Sequence, residues 1–163
     1  MRSRAVGAVV LVAFALAGCD GAKEHELSRD AQVYVATIRD VLAGEPPRDE
    51  AEPLPVVYVV GVGEETIVAG VQADVAQALD EDAEIRFADK REEALLEDQE
   101  DAPVRDKGVL VAVGAVPPDV DPVDVHVEIY RSEVDSSKVV LTIGKRSSQW
   151  TVTSESVVPP DES

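Results

Sequence analysis

Apolar residues in the first half of the chain alternate between helical and strand-like patterns. After Ser28, a helix-capping residue type, they recur on one helical face at Tyr34, Ile38, Val41 and Leu42. Gly44 and the prolines behind it end this first predicted helix. The nearly continuous run Val56 to Val62 then predicts a strand buried on both faces.

The next stretch repeats this alternation. Thr66 is predicted to cap a second helix, whose apolar face is Ile67, Val71, Val75 and Leu79. A short strand is predicted around Ile85 and Phe87, a short acidic helix over Lys90 to Asp98, and a buried strand over Val109 to Val113. Strands that alternate with helices favour right-handed crossovers and a partly parallel sheet.

Beyond the Pro117-Pro118 turn the apolar residues alternate one by one. Three strands are predicted, the first over residues 123–130, the second around Val139, Leu141 and Ile143, and the third around Trp150 and Val152. The intervening turns are predicted at residues 135–137 and 145–148, which makes an antiparallel meander. We therefore predict an α+β fold with a mixed five- to six-stranded sheet and helices mainly on one face.

The first residues have the pattern of a secretory leader. Arg2 and Arg4 precede an apolar run from Ala5 to Leu16, which is too short to cross a bilayer, since a crossing helix needs roughly 20 apolar residues. Residues 1–18 are thus predicted to be a signal peptide, 19–27 a polar tether, 28–158 a single globular domain and 159–163 a frayed tail.

The end of the apolar run resembles the lipobox of bacterial lipoproteins, through Leu16, Ala17, Gly18 and Cys19. The resemblance implies that Leu16, Ala17 and Gly18 are recognised by signal peptidase II. It also implies that Cys19 carries a diacylglyceryl group and becomes the first mature residue. Cys19 is the single cysteine of the chain, so it has no intramolecular disulfide partner, and lipidation accounts for it.

Two alternatives to the lipobox remain open at this point. Ala15-Leu16-Ala17 also fits an ordinary small-x-small cleavage site, which would leave Cys19 near a free N-terminus. An uncleaved membrane anchor is the other alternative, and the short apolar run argues against it. With the lipobox, the expected location is the outer, extracytoplasmic face of the cell membrane, where the N-terminal lipid holds the protein.

The amino-acid composition limits the kinds of partner that the protein is expected to bind. Loss of Arg2 and Arg4 with the leader leaves 13 basic and 33 acidic residues, a net charge of −20. Such a chain is repelled by nucleic acid and by anionic lipid headgroups, so no nucleic-acid partner is expected. The mature chain loosely resembles uncharacterised lipoproteins of high-GC Gram-positive bacteria. The acidic surplus alternatively fits a salt-loving organism.

Several residue groups suggest chemistry but match no complete motif. Gly61-Val62-Gly63 lacks the third glycine of a dinucleotide site and is interpreted as a tight turn. The acidic groups at Asp80, Asp82 and Glu84, and at Asp119, Asp121 and Asp124, depart from the calcium-loop pattern and are interpreted as solvated surface. His25 and His126 are too few for zinc, and His126 is interpreted as a surface strand residue.

The sequence therefore predicts no catalytic residue, no metal site and no cofactor. The expected function is that of a lipid-anchored envelope protein that binds a protein or cell-wall partner. A small hydrolase or metal-dependent enzyme, with acidic side chains in the loops after Val62 or Val113, is the alternative. The closing strand with its lone Trp150 also resembles that of cone-shaped α+β folds of the nuclear-transport-factor type. The alternation of strands and helices in the central part of the chain does not fit those folds.

Overall fold

Two α-helices and six strands follow one another in the computed structural model, which describes residues 26–49, 51–63 and 66–159. The helices are α1 (Arg29–Ala43) and α2 (Ala69–Ala78). The strands are β1 (Val56–Gly61), β2 (Glu84–Phe87), β3 (Val109–Val113), β4 (Val123–Ser132), β5 (Asp135–Arg146) and β6 (Gln149–Val157). The predicted α+β class is confirmed.

The strands form one mixed sheet in the order β2-β1-β3-β4-β5-β6. β1 runs parallel to both β2 and β3, whereas the pairs β3–β4, β4–β5 and β5–β6 are antiparallel. This arrangement follows from the connections, because parallel neighbours need long crossovers and short turns suffice for antiparallel ones. The predicted C-terminal meander is confirmed.

Helix α1 begins where the sequence predicts. The Ser28 hydroxyl accepts a hydrogen bond from the Ala31 amide at 3.2 Å, and Gly44 is the C-cap. Burial extends beyond the predicted face, because all residues from Val33 to Ile38 are buried. Six consecutive positions cover the whole circumference of a helix, so the middle of α1 is enclosed on every side. Within the described ranges, neither helix combines the length and apolarity that a membrane crossing requires.

Both helices pack on the same face of the sheet. The main core joins α1 and α2 to alternate residues of the central strands, and its largest fully buried side chains include Ile38, Leu79, Leu141 and Ile143. The alternation of β4, with Val123, Val125 and Val127 buried and Asp124 and His126 exposed, reflects the two-residue period of a strand.

A smaller apolar cluster covers part of the opposite face. Tyr58, Leu110 and Tyr130 point to this side, where the segment between β2 and β3 folds over them with Ala94, Leu95 and Val104. Leu95 and Val104 form an isolated bridge that closes the segment. β1 and β3 are therefore covered on both faces, which explains their continuous apolar runs.

Two predictions in the first half were wrong in detail. The N-cap of α2 is Val68, not Thr66, and no side chain caps this helix. The acidic helix predicted over Lys90 to Asp98 is a single 3₁₀ turn at Arg91–Ala94, after which the chain becomes extended so that Leu95 pairs with Val104. Tertiary packing of Leu95 thus overrides the local helical tendency.

The first meander turn also differs from the prediction. Asp135, Ser136 and Ser137 belong to β5, and the turn is Glu133-Val134. The next turn lies inside the predicted 145–148 region, at Ser147 and Ser148, with φ values of 48° and 75°. Two consecutive positive φ angles are typical of a type I′ hairpin turn, which matches the twist of the adjoining strands.

Candidate functional site

The predicted lipidation motif lies outside the described residues. Leu16, Ala17, Gly18 and Cys19 precede residue 26, as does His25 of the tether. The same holds for residues 160–163 of the predicted tail. The described part of the chain begins at Glu26 and Leu27, directly before α1.

The loops that follow β1 and β3 lie side by side, as expected for adjacent parallel strands. The Val62 amide donates to the Val113 carbonyl at 3.0 Å. Gly63 has a φ of 73°, which agrees with the tight-turn interpretation, and α2 starts only at Ala69. Among the described residues no group of three or more His, Cys, Asp or Glu side chains converges to hold a metal ion.

Four of the six acidic residues considered as calcium ligands have other partners. Asp82 pairs with Arg39 at 3.1 Å, and Glu84 pairs with Arg86 at 2.8 Å. Asp121 accepts a hydrogen bond from the Lys145 amide at 3.2 Å, and Asp124 accepts one from Thr142 at 2.7 Å. Asp82, Asp121 and Asp124 thus connect separate segments, whereas Glu84 pairs within β2, and the four carboxylates do not share one centre.

His126 lies on the outer face of β4. It is exposed and sits opposite Val140 of β5. Its carbonyl accepts the Gly114 amide at 2.8 Å, a contact between backbone atoms that fixes the loop after β3. Within the described part of the chain, the imidazole makes no hydrogen bond to a serine or acidic side chain, which is consistent with the interpretation as a surface strand residue.

A polar network that the sequence did not reveal lies on the second face of the sheet. The Tyr58 hydroxyl donates to Asp106 at 3.0 Å and accepts from Arg86 at 2.8 Å, and Arg86 also pairs with Asp106. The hydrogen bond from Arg86 lowers the pKa of Asp106, and bonds to Glu84, Tyr58 and Asp106 raise the pKa of Arg86. Because these side chains satisfy one another, the network fixes the chain before β3.

An open groove of about 670 Å³ runs between α1 and β6, and we call it the α1–β6 groove. Its apolar lining consists of Leu27, Val35, Ala36, Ala43, Trp150 and Val152. Its polar lining includes Gln32, Arg39, Asp40, Lys145 and Gln149. A concave surface that is mostly apolar with a few polar groups is the usual form of a binding site.

Asp40 is the distinctive polar group of this groove. Its side chain is half-buried and has neither a hydrogen bond nor an ion pair among the described residues. Burial raises the pKa of Asp40, because desolvation disfavours the charged carboxylate. Arg39, the adjacent cation, is occupied by Asp82 and by the Ala78 carbonyl at 3.2 Å. Asp40 is therefore a carboxylate that a ligand can reach.

Strand β6 supplies the other side of the groove and is the last strand of the sheet. Its only strand neighbour among the described residues is β5. Thr153 is an extra residue in this pairing, because Thr142 pairs with Ser154 and Ile143 pairs with Val152. The Thr153 hydroxyl donates to the Thr142 carbonyl at 3.0 Å, which anchors the bulge. The segment Gln149 to Val152 is thus a free edge beside α1.

A second groove, of about 930 Å³, lies between the end of α1 and the proline-rich segment before β1. Most of its charged groups already have partners, and the other two, Glu52 and Lys107, are exposed. Arg48 donates to the Pro53 carbonyl at 2.5 Å, and Glu45 pairs with Arg131. The α1–β6 groove is therefore the better candidate site.

No family model matches this chain, and no curated protein or solved structure matches it significantly.

The sequence did not single out Asp40, because nothing in the sequence distinguishes one carboxylate among 33 acidic residues. Trp150 is half-buried and packs against the edge of the core, where it lines the groove. A usable signal was present, since Ser147 to Ser154 is a run of eight residues without a charged side chain in a strongly acidic chain.

Proposed function

We propose that the chain is a lipid-anchored protein of the outer face of the cell membrane, attached through Cys19, and that its folded part is a binding or interaction module. The single observation that carries the anchoring is the Leu16-Ala17-Gly18-Cys19 sequence at the end of a short apolar leader. A diacylated cysteine supplies two chains, which is what stable attachment requires. The acidic body gives no electrostatic help at an anionic bilayer.

The α1–β6 groove supports the binding role. It combines an apolar lining with Asp40, whose charge has no partner in the described part of the chain, and with a free strand edge. Apolar surface supplies affinity, and a small number of polar groups supplies orientation.

The anchoring is tested by the intact mass of the membrane-extracted protein. We expect an N-terminus at Cys19 that carries acyl chains, and we expect a Cys19→Ser variant to lose both the acyl mass and the membrane fraction. An unmodified N-terminus at Gly18 or Cys19 would contradict the proposal.

The binding role is tested by photocrosslinking in the cells that produce the protein. A crosslinker at Ser148, which lines the groove, is compared with one at the exposed Lys138 on β5. We expect one product to recur at Ser148 and to be absent at Lys138. Absence of any partner, together with catalytic turnover in an activity screen, would overturn the binding role.

A further inference from the structure

We propose that the free edge of β6 binds an extended segment of a partner polypeptide, which lies as an added strand in the α1–β6 groove and places a basic side chain on Asp40. This inference rests on the proposed function as a binding module and names the class of its ligand. An added strand gains affinity from main-chain hydrogen bonds and specificity from its alternate side chains.

The β5–β6 register indicates which backbone groups are available. The two-residue turn at Ser147 and Ser148 closes on the pair Arg146 and Gln149. In such a hairpin the closing pair is hydrogen-bonded and the pairs then alternate, so Trp150 and Val152 direct their N–H and C=O groups away from β5. Both residues line the groove. A segment placed there would therefore meet unpaired main-chain groups.

The first part of the β6 edge, from Gln149 to Val152, carries no charge, proline or bulge that would protect it from pairing. Gln149 to Val157 contains neither lysine nor proline, and Glu155 is its single charged residue. The bulge at Thr153 bends the strand only beyond Val152. Natural proteins commonly block such edges with charges, prolines or bulges, and the stretch from Gln149 to Val152 has no such device.

A second copy of the chain is a poor occupant for this edge. A second copy carries the same acidic surplus, so two chains repel each other when their β6 edges approach. A separate segment that carries basic residues is attracted instead.

The side chains around the groove select the chemistry of the segment. Val35 and Ala36, which are 6% and 8% exposed, offer a small apolar floor. Asp40 lies one turn further along the same side of α1, without a partner in the described part of the chain. A segment with apolar and basic residues on its α1-facing side therefore fits both. The acidic surplus of the whole chain attracts such a segment.

The test uses the full chain as purified from the expressing bacterium and three blocked heptapeptides. Each peptide alternates Thr and Val, and its central residue is Lys, Gln or Glu. Binding is followed by the emission of Trp150, the single tryptophan, and by hydrogen exchange of the Trp150 and Val152 amides. We expect the Lys peptide to bind most tightly, the Glu peptide most weakly, and both amides to become protected.

Three variants make the result specific. Asp40→Asn is expected to reduce the preference for the Lys peptide over the Gln peptide by about twofold to fivefold, as for one partly exposed ion pair. Val152→Pro removes an outward amide and is expected to abolish binding, whereas Val152→Thr keeps that amide and is expected to bind. Circular dichroism of each variant verifies the fold.

Equal affinity for the three peptides, or binding that survives Val152→Pro, would overturn the inference. If protection of these amides rises with protein concentration in the absence of peptide, the edge binds a second copy of the chain. That result would also overturn the inference. Lipidation at Cys19 is measured separately, by mass. A negative result for the anchoring can therefore be distinguished from a negative result for the strand-binding site.

Discussion

The guanidinium of Arg29 lies over the indole ring of Trp150, with 5.2 Å between its central carbon and the ring centroid. Arg29 is the first residue of α1 and Trp150 lies near the start of β6, so this contact holds the start of the helix on the last strand of the sheet. The same guanidinium donates to the Val120 carbonyl at 2.8 Å. One side chain thus connects three separate segments.

Arg29→Ala is expected to lower the free energy of unfolding by about 1 to 2 kcal/mol, through loss of the cation–π contact and of one hydrogen bond. Urea unfolding followed by Trp150 emission measures this change. Arg29→Lys keeps the charge and loses the planar stacking, so its free energy of unfolding should lie between those of the parent and the alanine variant. Equal stability of the alanine variant and the parent would contradict this role.

Gly108→Ala is expected to destabilise the fold by about 1 to 3 kcal/mol, the usual range for overpacking. The added Cβ would lie 2.6 Å from the Val56 carbonyl oxygen, a backbone atom that is held in the sheet. Gly70 in α2 is the matched control, because a Cβ there meets nothing within 4 Å. Gly70→Ala should instead stabilise the helix by about 0.5 to 1 kcal/mol. Thermal unfolding of both variants measures whether the two stability changes have opposite signs.

The strand and helix periods were sufficient to predict the class and most of the elements. β3 and the start of α1 agree with the prediction because local pattern and tertiary packing favour the same structure there. The helix over Lys90 to Asp98 failed because Leu95 gains more by packing against the second face of the sheet. The α1–β6 groove was not predictable, since its geometry depends on how β6 lies beside α1 in space.

Asp106→Asn is expected to reduce stability at neutral pH and to make the acid unfolding curve shallower. The Arg86 hydrogen bond lowers the pKa of Asp106 below its usual 3.8, so its contribution is complete above that value and disappears as the pH falls through the folded-state pKa. Asn tolerates the positive φ of 56° at this position, which preserves the backbone.

Unfolding free energies measured between neutral and acidic pH test this expectation for Asp106. The parent and the Asn variant should converge in acid. Tyr58→Phe, which removes only the hydroxyl that donates to Asp106, should show a smaller loss with the same pH dependence. A stability gap that is constant with pH would contradict the assigned ionisation.

Asp40→Asn is expected to raise stability at neutral pH, which is the opposite of the effect expected for Asp106→Asn. Burial raises the pKa of Asp40 above 3.8, so the folded state holds its proton more tightly and stability falls as the pH rises through the folded-state pKa. The variant should therefore have a higher melting temperature than the parent at neutral pH, and the two should converge below about pH 3.8. Asp98→Asn, at an exposed position, is the control and should change little. A lower melting temperature for Asp40→Asn would contradict this expectation.

Glu26 and Leu27 line the groove, and only six residues separate Glu26 from Cys19. The seven residue steps from Cys19 to Glu26 span at most about 25 Å when fully extended. Under the proposed anchoring, the mouth of the groove therefore stays within reach of proteins embedded in the same bilayer. Encounter becomes a search over a surface, in which the effective concentration of a neighbour is set by its density in the membrane. A modest affinity for the added strand would then suffice for lasting association.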